Sequence, residues 1–480
     1  MSGAHGAPTE VGGRGQQGLL RVVSREVGLG GRSLALAPAG AGAGDDSAPV
    51  PAGTALLGGE EPLLSIALDD DSCDRCLASG LCARAASSRR RYRCGGCGVA
   101  FCSAECRDAG RHTPAECRVF AAIDQAVGRL HPKNRWLRFV ARAALTPHFV
   151  ALLPEFCRHV EDEASCRPQA EELAELLGCC GCVEGGAPAA ETVGRCWSAL
   201  RCNALAIHDD DRCGECTLGW GIYRTGALFN HSCAPNAEWH HRGARLHVRT
   251  LAPLPPGAAV TISYVDLGSG EGDDDEGGAK RREKLRRNYH FDCGCPRCQT
   301  ELQGRAEPEA GGLDPSLAFL SAGSGGAEND RFGAYVATAR EKASALLRAH
   351  PPNASATALF LLKLALTLHR KLPPEALRAG QPAHALRSAA LAWALPRLAV
   401  ARGPCHPLCR GMARWQQQLA LAEPGREVPA ALHGVGNDGG WMRLGAAAPS
   451  MPPRPAASDS EPPAASEPDR ERKRQKSEPS

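Results

Sequence analysis

Three closely spaced cysteines, Cys293, Cys295 and Cys298, constrain the fold of this chain more than any other feature. Their spacing, C-x-C-x2-C, supplies three thiolates, whereas a structural zinc ion takes four tetrahedral ligands. The best candidate for the missing ligand is Cys233, which lies far upstream in the segment Asn-His-Ser-Cys at 230–233. The sequence therefore predicts one metal site that joins two distant segments.

That metal would also clamp aromatic residues against a polar pair. Tyr289 and Phe291 precede the three cysteines, and Asn230 and His231 precede Cys233. We therefore expect these four side chains to meet in the folded protein.

A second cysteine-rich segment extends from 73 to 117. It offers eight metal ligands in four pairs: Cys73 and Cys76, Cys94 and Cys97, Cys102 and Cys106, His112 and Cys117. Eight ligands satisfy two tetrahedral zinc ions. A segment of this length buries little apolar surface, so its folding is expected to depend on the metals. Cys82 is a ninth thiol, which we interpret as a spare buried cysteine.

Composition narrows the class of protein. The chain has 480 residues, 23 cysteines and a formal net charge of +3, which does not suggest a nucleic-acid polyelectrolyte partner. Residues 1–17 lack the apolar core of a signal peptide, so we expect thiolate metal sites rather than disulfides. No run of 18 apolar residues occurs, so no membrane span is expected.

Three motifs, read together, resemble a known family. Asn-His-Ser-Cys-Ala-Pro-Asn at 230–236, Ser-Tyr-Val-Asp at 263–266 and the ending Tyr-x-Phe-x-Cys-x-Cys-x2-Cys resemble, in this order, the SET domain of protein lysine methyltransferases. With the finger at 73–117, the chain resembles the SET-and-MYND family. In such a finger the first and third ligand pairs bind one zinc ion, and the second and fourth bind the other. Together with the post-SET cysteines, the resemblance implies about three zinc ions and the cofactor S-adenosyl-L-methionine.

The resemblance also implies an α+β fold, in which a β-rich SET domain is split by a MYND finger and a helical insertion. Apolar residues at helical spacing over 120–177, interrupted by Pro154 and Pro168, and over 331–421 predict helices. No clean 34-residue period appears in the second range, so its likeness to TPR repeats is weak. The expected parts are a disordered N-terminus (1–17), the first part of the SET domain (18–72), the MYND finger (73–117), the helical insertion (118–195), the SET core (196–267), the post-SET zinc segment (268–302), a C-terminal helical domain (303–440) and a disordered tail (441–480).

By resemblance, two tyrosines and several other residues form the active site. Tyr289 and Tyr264 are the implied catalytic residues. The implied cofactor-binding residues are Gly30, Gly31, Arg32, Asn203, Asn230, His231, Tyr264 and Phe291. Ser33 stands where the family usually has a glycine. Each of these residues also has a purely structural alternative. The glycines could form a tight turn, and Asn203 could be a turn or cap residue. Asn230 and His231 could only stabilise a turn, and Tyr264 and Phe291 could be part of the core.

Such residue types suit methyl transfer to an amine. A lysine in water, whose pKa is about 10.4, must lose a proton, which costs roughly 4–5 kcal/mol at pH 7. Burial in an apolar channel beside a positive sulfur lowers that pKa, so aromatic residues serve better than carboxylates. Tyrosine rings also accommodate a methylammonium product through cation–π attraction.

The remaining cysteine groups lack partners in the sequence. Cys179, Cys180 and Cys182 are interpreted as ordinary cysteines, and Cys213 and Cys216 as free thiols.

Two hypotheses about function follow. The first is a protein lysine methyltransferase acting on histone tails or other proteins. The second is a MYND adaptor whose SET domain is a non-catalytic scaffold. The finger is either a structural unit or a docking surface for proline-rich peptides. Direct DNA binding is not expected, because the finger has no basic helix beyond the arginines at 89–91. A nuclear or cytoplasmic location is expected, with the basic cluster at 470–476 as a candidate import signal.

Overall fold

The structure is a computed structural model. It describes residues 20–24, 32–36, 48–70, 72–77, 92–109, 112–131, 133–181, 186, 188–208, 217–267, 278–303, 315–321, 330–420, 428–429 and 432. The strands are β1 (Leu20–Ser24), β2 (Arg32–Leu36), β3 (Ala55–Glu60), β4 (Leu64–Ala67), β5 (Tyr92–Arg93), β6 (Ala100–Phe101), β7 (Ala204–His208), β8 (Thr217–Ile222), β9 (Asn230–His231), β10 (Ala237–Arg242), β11 (Arg245–Thr250) and β12 (Thr261–Ile262). The helices are α1 (Ala104–Asp108), α2 (Pro114–Val127), α3 (Asn134–Ala144), α4 (Pro147–Leu152), α5 (Val160–Ser165), α6 (Arg167–Cys179), α7 (Ala190–Asn203), α8 (Gly278–Tyr289), α9 (Pro296–Leu302), α10 (Asp330–Ala349), α11 (Ser355–Lys371), α12 (Pro382–Arg402) and α13 (Pro407–Ala420).

Small sheets form the β-rich part of the molecule. β3, β11 and β10 make one antiparallel sheet, and β4, β8 and β7 make another. Along β11, Leu246, Val248 and Thr250 are buried while the residues between them are more exposed. Because side chains alternate across a strand, this pattern gives the sheet one face toward the core.

A short parallel pair joins two segments that are distant in the chain. β9 pairs with β12, with Asn230 opposite Thr261 and His231 opposite Ile262. The Asn236 side chain fastens the same junction: its Nδ2 donates to the Ala259 carbonyl at 2.8 Å, and its Oδ1 accepts from the Thr261 N–H at 2.8 Å. Residues 230–236 and 259–262 are therefore held side by side.

The helical insertion packs on the second sheet through aromatic side chains. The Trp136 ring on α3 meets the Trp220 ring on β8 edge-on, with centroids 5.6 Å apart. Pro154 lies in a 3-10 turn, Leu153–Glu155, between α4 and α5, as a helix break predicts. Pro168 lies in the first turn of α6, which begins at Arg167 directly after α5 ends at Ser165, so the helical run is also broken here as predicted. At that position the missing N–H of proline costs nothing.

Arg142 on α3 connects the finger to the rest of the fold. Its Nη2 lies 2.6 Å from Asp74 Oδ2, and the same guanidinium binds Glu116 and the Ser65 carbonyl. Burial opposes ionisation of Glu116, but the Arg142 charge keeps the pKa of that carboxyl below its usual value. A buried ion-pair network thus anchors the finger.

The C-terminal helices α10 to α13 agree with the helices predicted over 331–421. Leu361, Leu391 and Trp415 are among the buried residues of their core. The Ser355 N–H donates to Glu238 Oε2 at 2.9 Å, and Asn353 Nδ2 donates to the Leu251 carbonyl at 2.8 Å. These bonds tie the helices to β10 and β11. None of the described helices combines the length and apolar character that crossing a membrane requires.

Candidate functional site

Six of the residues singled out from the sequence line one cavity of about 170 Å³. They are Asn203, Asn230, His231, Tyr264, Tyr289 and Phe291. They come from the end of α7, from β9, from the segment after β12 and from the end of α8 and the loop that follows. The fold therefore assembles the predicted cluster from separate parts of the chain.

The turn that leads into β9 is fixed by the partly buried carboxylate of Glu60. Glu60 accepts hydrogen bonds from the Thr225 N–H at 2.7 Å and the Gly226 N–H at 3.0 Å. A Cβ at Gly226 would lie 2.5 Å from Leu246 Cδ2, so the backbone approaches the sheet more closely than a side chain permits. This packing sets the position of Asn230 and His231.

His231 joins the cavity to the neighbouring cysteines. Its Nδ1 accepts the Tyr264 N–H at 3.0 Å, so its Nε2 carries the proton and faces Cys233 Sγ at 3.2 Å. Burial lowers the pKa of His231 to about 4, which keeps the ring neutral. A neutral ring with this tautomer can donate to a cysteine thiolate.

Two tyrosines form one wall of the cavity. The rings of Tyr264 and Tyr289 are 4.9 Å apart. The Tyr264 hydroxyl donates to the Phe229 carbonyl, and the Tyr289 hydroxyl lies 3.4 Å from the Tyr264 carbonyl. Burial raises the pKa of Tyr264, and it raises the pKa of Tyr289 to about 12, so both hydroxyls are protonated at neutral pH.

Phe291 and Asn203 face the same space from other directions. The Phe291 ring stands nearly perpendicular to that of Tyr264, with centroids 6.4 Å apart. Asn203 Nδ2 donates to the carbonyls of Cys157 at 2.8 Å and Ala199 at 2.7 Å. The Asn203 nitrogen therefore ties α7 to the loop before α5, and its side-chain oxygen is the atom that could bind a ligand.

Gly30 and Gly31 lie outside the described residues, and Arg32 is the first residue of β2. The predicted contacts of these three with a cofactor remain predictions.

The distant cysteines do come together. The sulfur atoms of Cys233, Cys293, Cys295 and Cys298 all lie within 4.8 Å of one another, and Cys298 Sγ is 3.6 Å from Cys233 Sγ. Four thiolates at this spacing fit a tetrahedral zinc ion.

The finger contains two further ligand sets. Cys73, Cys76, Cys102 and Cys106 form one, and Cys94, Cys97, His112 and Cys117 form the other. This is the crossed pairing that the family resemblance implies. His112 Nδ1 lies 2.7 Å from Glu116 Oε2, which turns Nε2 toward Cys97 Sγ at 3.3 Å. A carboxylate behind a ligating histidine is a usual support of zinc sites. Both sets fit zinc.

Two of the cysteines singled out from the sequence, Cys179 and Cys180, are described by the structure and belong to none of these sets. Cys179 and Cys180 lie at the end of α6. Cys82, Cys182, Cys213 and Cys216 lie outside the described residues, as do the arginines at 89–91 and the basic cluster at 470–476.

Seven residues of the cavity wall were not found from the sequence: Glu155, Cys157, His159, Cys202, Ala227, Leu228 and His290. The first three belong to the helical insertion, where no spacing or motif marks them. His290 stands between the two aromatic residues of the motif and has a positive φ of 58°, unusual for a residue with a side chain. The positive φ of His290 marks this residue in the structure, but nothing in the sequence indicates it.

Comparison with known proteins finds related sequences. The SET domain family matches residues 130–265. The chain is 34% identical over 105 residues to N-lysine methyltransferase SMYD2-B of Danio rerio, covering 22% of each protein. It is 33% identical over 113 residues to human N-lysine methyltransferase SMYD2, covering 24% of each. A SET and MYND domain-containing protein of Dictyostelium discoideum is 33% identical over 102 residues, or 21% of this chain and 22% of that protein.

The chain thus contains a region that matches the SET domain, together with a finger whose two ligand sets fit zinc. More specifically, the chain resembles the SET-and-MYND proteins. The matched region spans less than a quarter of the length of each of these relatives.

Proposed function

We propose that the protein is an S-adenosyl-L-methionine-dependent protein-lysine N-methyltransferase. One observation carries the proposal: Asn230, His231, Tyr264, Tyr289 and Phe291 line a single cavity beside a four-cysteine ligand set. The names of the SMYD2 relatives support it, because they describe lysine methylation by proteins that resemble this one over 22–24% of its length.

The residues of the cavity fit the cofactor. Phe291 offers an aromatic surface for the adenine ring, while Asn230, the His231 backbone and the Asn203 side-chain oxygen offer polar contacts. When bound, S-adenosyl-L-methionine supplies an electrophilic methyl group on a positive sulfur atom.

The tyrosines would orient the substrate amine. Deprotonating lysine at pH 7 costs roughly 4–5 kcal/mol, and burial against two aromatic rings reduces that cost by disfavouring the charged form. Because both hydroxyls are protonated, Tyr264 and Tyr289 act as dipoles and not as general bases. Their oxygen lone pairs can accept from the amine, and most of the acceleration would come from alignment.

The substrate is a protein, and we propose that histone tails are among the substrates. On this proposal the protein acts at chromatin in the nucleus, with a cytoplasmic pool acting on other proteins. A docking role of the finger for proline-rich peptides is a further part of the proposal. Incubation with labelled cofactor, core histones and cell extract, followed by mass spectrometry of the modified lysines, would distinguish these substrates.

The central test measures binding and transfer separately. Protein loaded with three zinc ions, one for each four-ligand set, is expected to bind S-adenosylhomocysteine in calorimetry and to transfer labelled methyl groups. Tyr289→Phe should retain binding and lose at least about tenfold in turnover, about 1.4 kcal/mol of barrier. Tyr92→Phe, which changes a tyrosine of the finger, is the matched control and should behave as the wild type. Failure of the zinc-loaded wild type to bind would favour the adaptor hypothesis, and unchanged turnover in Tyr289→Phe would refute the role of that residue.

A further inference from the structure

A fourth cluster of metal ligands lies in the wall of the cavity. The ligand atoms of Cys157, His159 and Cys202 are all within 4.8 Å of one another, and Cys157 Sγ is 3.6 Å from His159 Nε2. Zinc bonds of about 2.3 Å to sulfur and about 2.0 Å to nitrogen put neighbouring ligands roughly 3.5–3.8 Å apart. The corresponding sulfur–nitrogen pair in the finger, Cys97 and His112, is 3.3 Å apart. The cluster therefore has the spacing of the three predicted zinc sites.

The backbone holds these ligands in place without a metal. Cys157 and His159 lie on the extended segment between the 3-10 turn and α5, and Cys202 lies in the last turn of α7. The His159 N–H donates to Ser198 Oγ at 2.9 Å, and the Ser198 hydroxyl is 3.2 Å from the His159 carbonyl. Asn203 Nδ2 adds its bond to the Cys157 carbonyl. Two residues of α7 thus fix the segment that carries two of the three ligands.

The surroundings favour a cation. Asp162 is 1% exposed, and its Oδ2 lies 3.2 Å from His290 Nε2 and 3.9 Å from Cys202 Sγ. The His290 ring packs 4.5 Å from the His159 ring, which limits the orientations of that imidazole. Two thiols, an imidazole and a buried carboxylate in one place form an electron-rich site. Arg201 Nε, 3.7 Å from Asp162 Oδ1, balances part of this charge.

We propose that Cys157, His159 and Cys202 form a fourth metal site, which takes a thiophilic divalent ion such as Zn²⁺ and leaves one coordination position open to the cavity. Two thiolates and one imidazole are a ligand set that zinc accepts with a fourth, exchangeable ligand. Binding replaces the thiol protons, so each cysteine that ligates releases its proton to solvent.

The location gives the ion a consequence, which rests on the proposed function. Cys157, His159 and Cys202 line the same cavity as Asn230 and Phe291. An ion with its exchangeable ligand would take up space that the cofactor needs. Zinc at this site therefore competes with S-adenosyl-L-methionine and lowers methyl transfer, in contrast to the ions of the three four-ligand sets, which support the fold.

Metal content tests the site without reference to activity. We expect the zinc-saturated full chain to hold four ions by elemental mass spectrometry, one for each ligand group. Cys157→Ser and Cys202→Ser should hold three, while the matched control Cys166→Ser, a buried cysteine of the same insertion, keeps four. Cobalt should then be added to protein that already holds three zinc ions, so that only the Cys157, His159 and Cys202 group is free to bind it. The wild type should give a thiolate-to-metal absorption band, and Cys157→Ser should not. Circular dichroism confirms that each variant is folded.

Three ions in both wild type and Cys157→Ser, with no cobalt band, would overturn the proposal. A Cys157–Cys202 disulfide in protein that holds three ions would overturn it in favour of a redox pair. For competition, micromolar Zn²⁺ should weaken S-adenosylhomocysteine binding by at least about tenfold in wild type and not in Cys157→Ser. A fourth ion without that effect would refute competition alone. No S-adenosylhomocysteine binding at any zinc level would refute the proposed function and leave the metal count decisive for the site.

Discussion

The Nε2 atom of His231 lies 3.2 Å from the sulfur of Cys233, while Nδ1 of the same ring accepts the backbone N–H of Tyr264. One neutral imidazole thus touches a metal ligand on one side and the cavity wall on the other. Because a thiolate strengthens the hydrogen bond that it accepts, metal binding at Cys233 would tighten the orientation of His231. The metal set and the cavity are therefore mechanically connected.

Loss of the Cys233 ligand should impair the cavity as well as the metal site. In Cys233→Ser we expect one zinc ion fewer per chain and S-adenosylhomocysteine affinity reduced by about tenfold to a hundredfold, as for disturbed metal surroundings. Elemental mass spectrometry and calorimetry measure the two effects. Cys409→Ser, at a buried cysteine of α13, is the control. Loss of zinc with unchanged affinity would show that the two sites are independent.

Arg142 should be essential for stability. In Arg142→Met, the carboxylates of Asp74 and Glu116 lose their buried partner, and we expect a decrease of about 3–5 kcal/mol in the free energy of unfolding. Chemical denaturation followed by tryptophan fluorescence measures it. Arg118→Met removes only exposed bonds to the carbonyls of Cys180 and Gly181 and should cost less than about 1 kcal/mol. Equal losses in both variants would contradict the ion-pair network.

Zinc should hold the finger together independently of the SET core. Cys94→Ser removes a ligand of one finger set, so we expect limited proteolysis to cut within 73–117 first and to leave the remaining chain resistant. Mass spectrometry of the early fragments locates the cut. Cleavage first in the C-terminal helices would argue against metal-dependent folding of the finger.

Histidines between β10, β11 and the loop before α13 should make the protein sensitive to acid. Burial and, after it, neighbouring arginine charges lower the pKa of His247 to about 4 and the pKa of His406 to about 3. In the unfolded chain the pKa of a histidine is about 6.5, so below that pH the unfolded chain binds protons that the folded chain does not. Stability present above pH 6.5 is therefore lost as the pH falls toward 4.

Thermal unfolding between pH 7 and pH 4 checks this. The melting temperature should fall with the pH, and His406→Gln should fall less steeply. Burial opposes ionisation of Asp70, but Arg129 and Arg135 hold its pKa at about 2. The stability that this carboxylate contributes is therefore lost only below about pH 4, outside the range of the experiment. A slope unchanged by His406→Gln would mean that other groups control acid unfolding.

The metal-binding architecture could be predicted from the sequence because ligand chemistry demands a fixed number of partners. The three cysteines at 293–298 need a fourth ligand to complete a tetrahedral zinc site, and Cys233 belongs to the recognisable segment Asn-His-Ser-Cys at 230–233. The helices at 331–421 were predictable because apolar residues recur there at helical spacing. Cys157 and His159 were not predictable, because they meet Cys202 only through the packing of the insertion against α7. No local spacing records that contact.

The order of synthesis determines when the Cys233 ligand set can be completed. Cys298 follows Cys233 by 65 positions, which at 5–20 residues per second takes roughly 3 to 13 seconds to translate. Asn230 and His231 are therefore synthesised before Tyr289 and Phe291, the aromatic residues that line the cavity with them. The cavity wall and the Cys233 ligand set can therefore be completed only after synthesis has reached Cys298, so metal binding at this set follows the synthesis of both halves of the cavity.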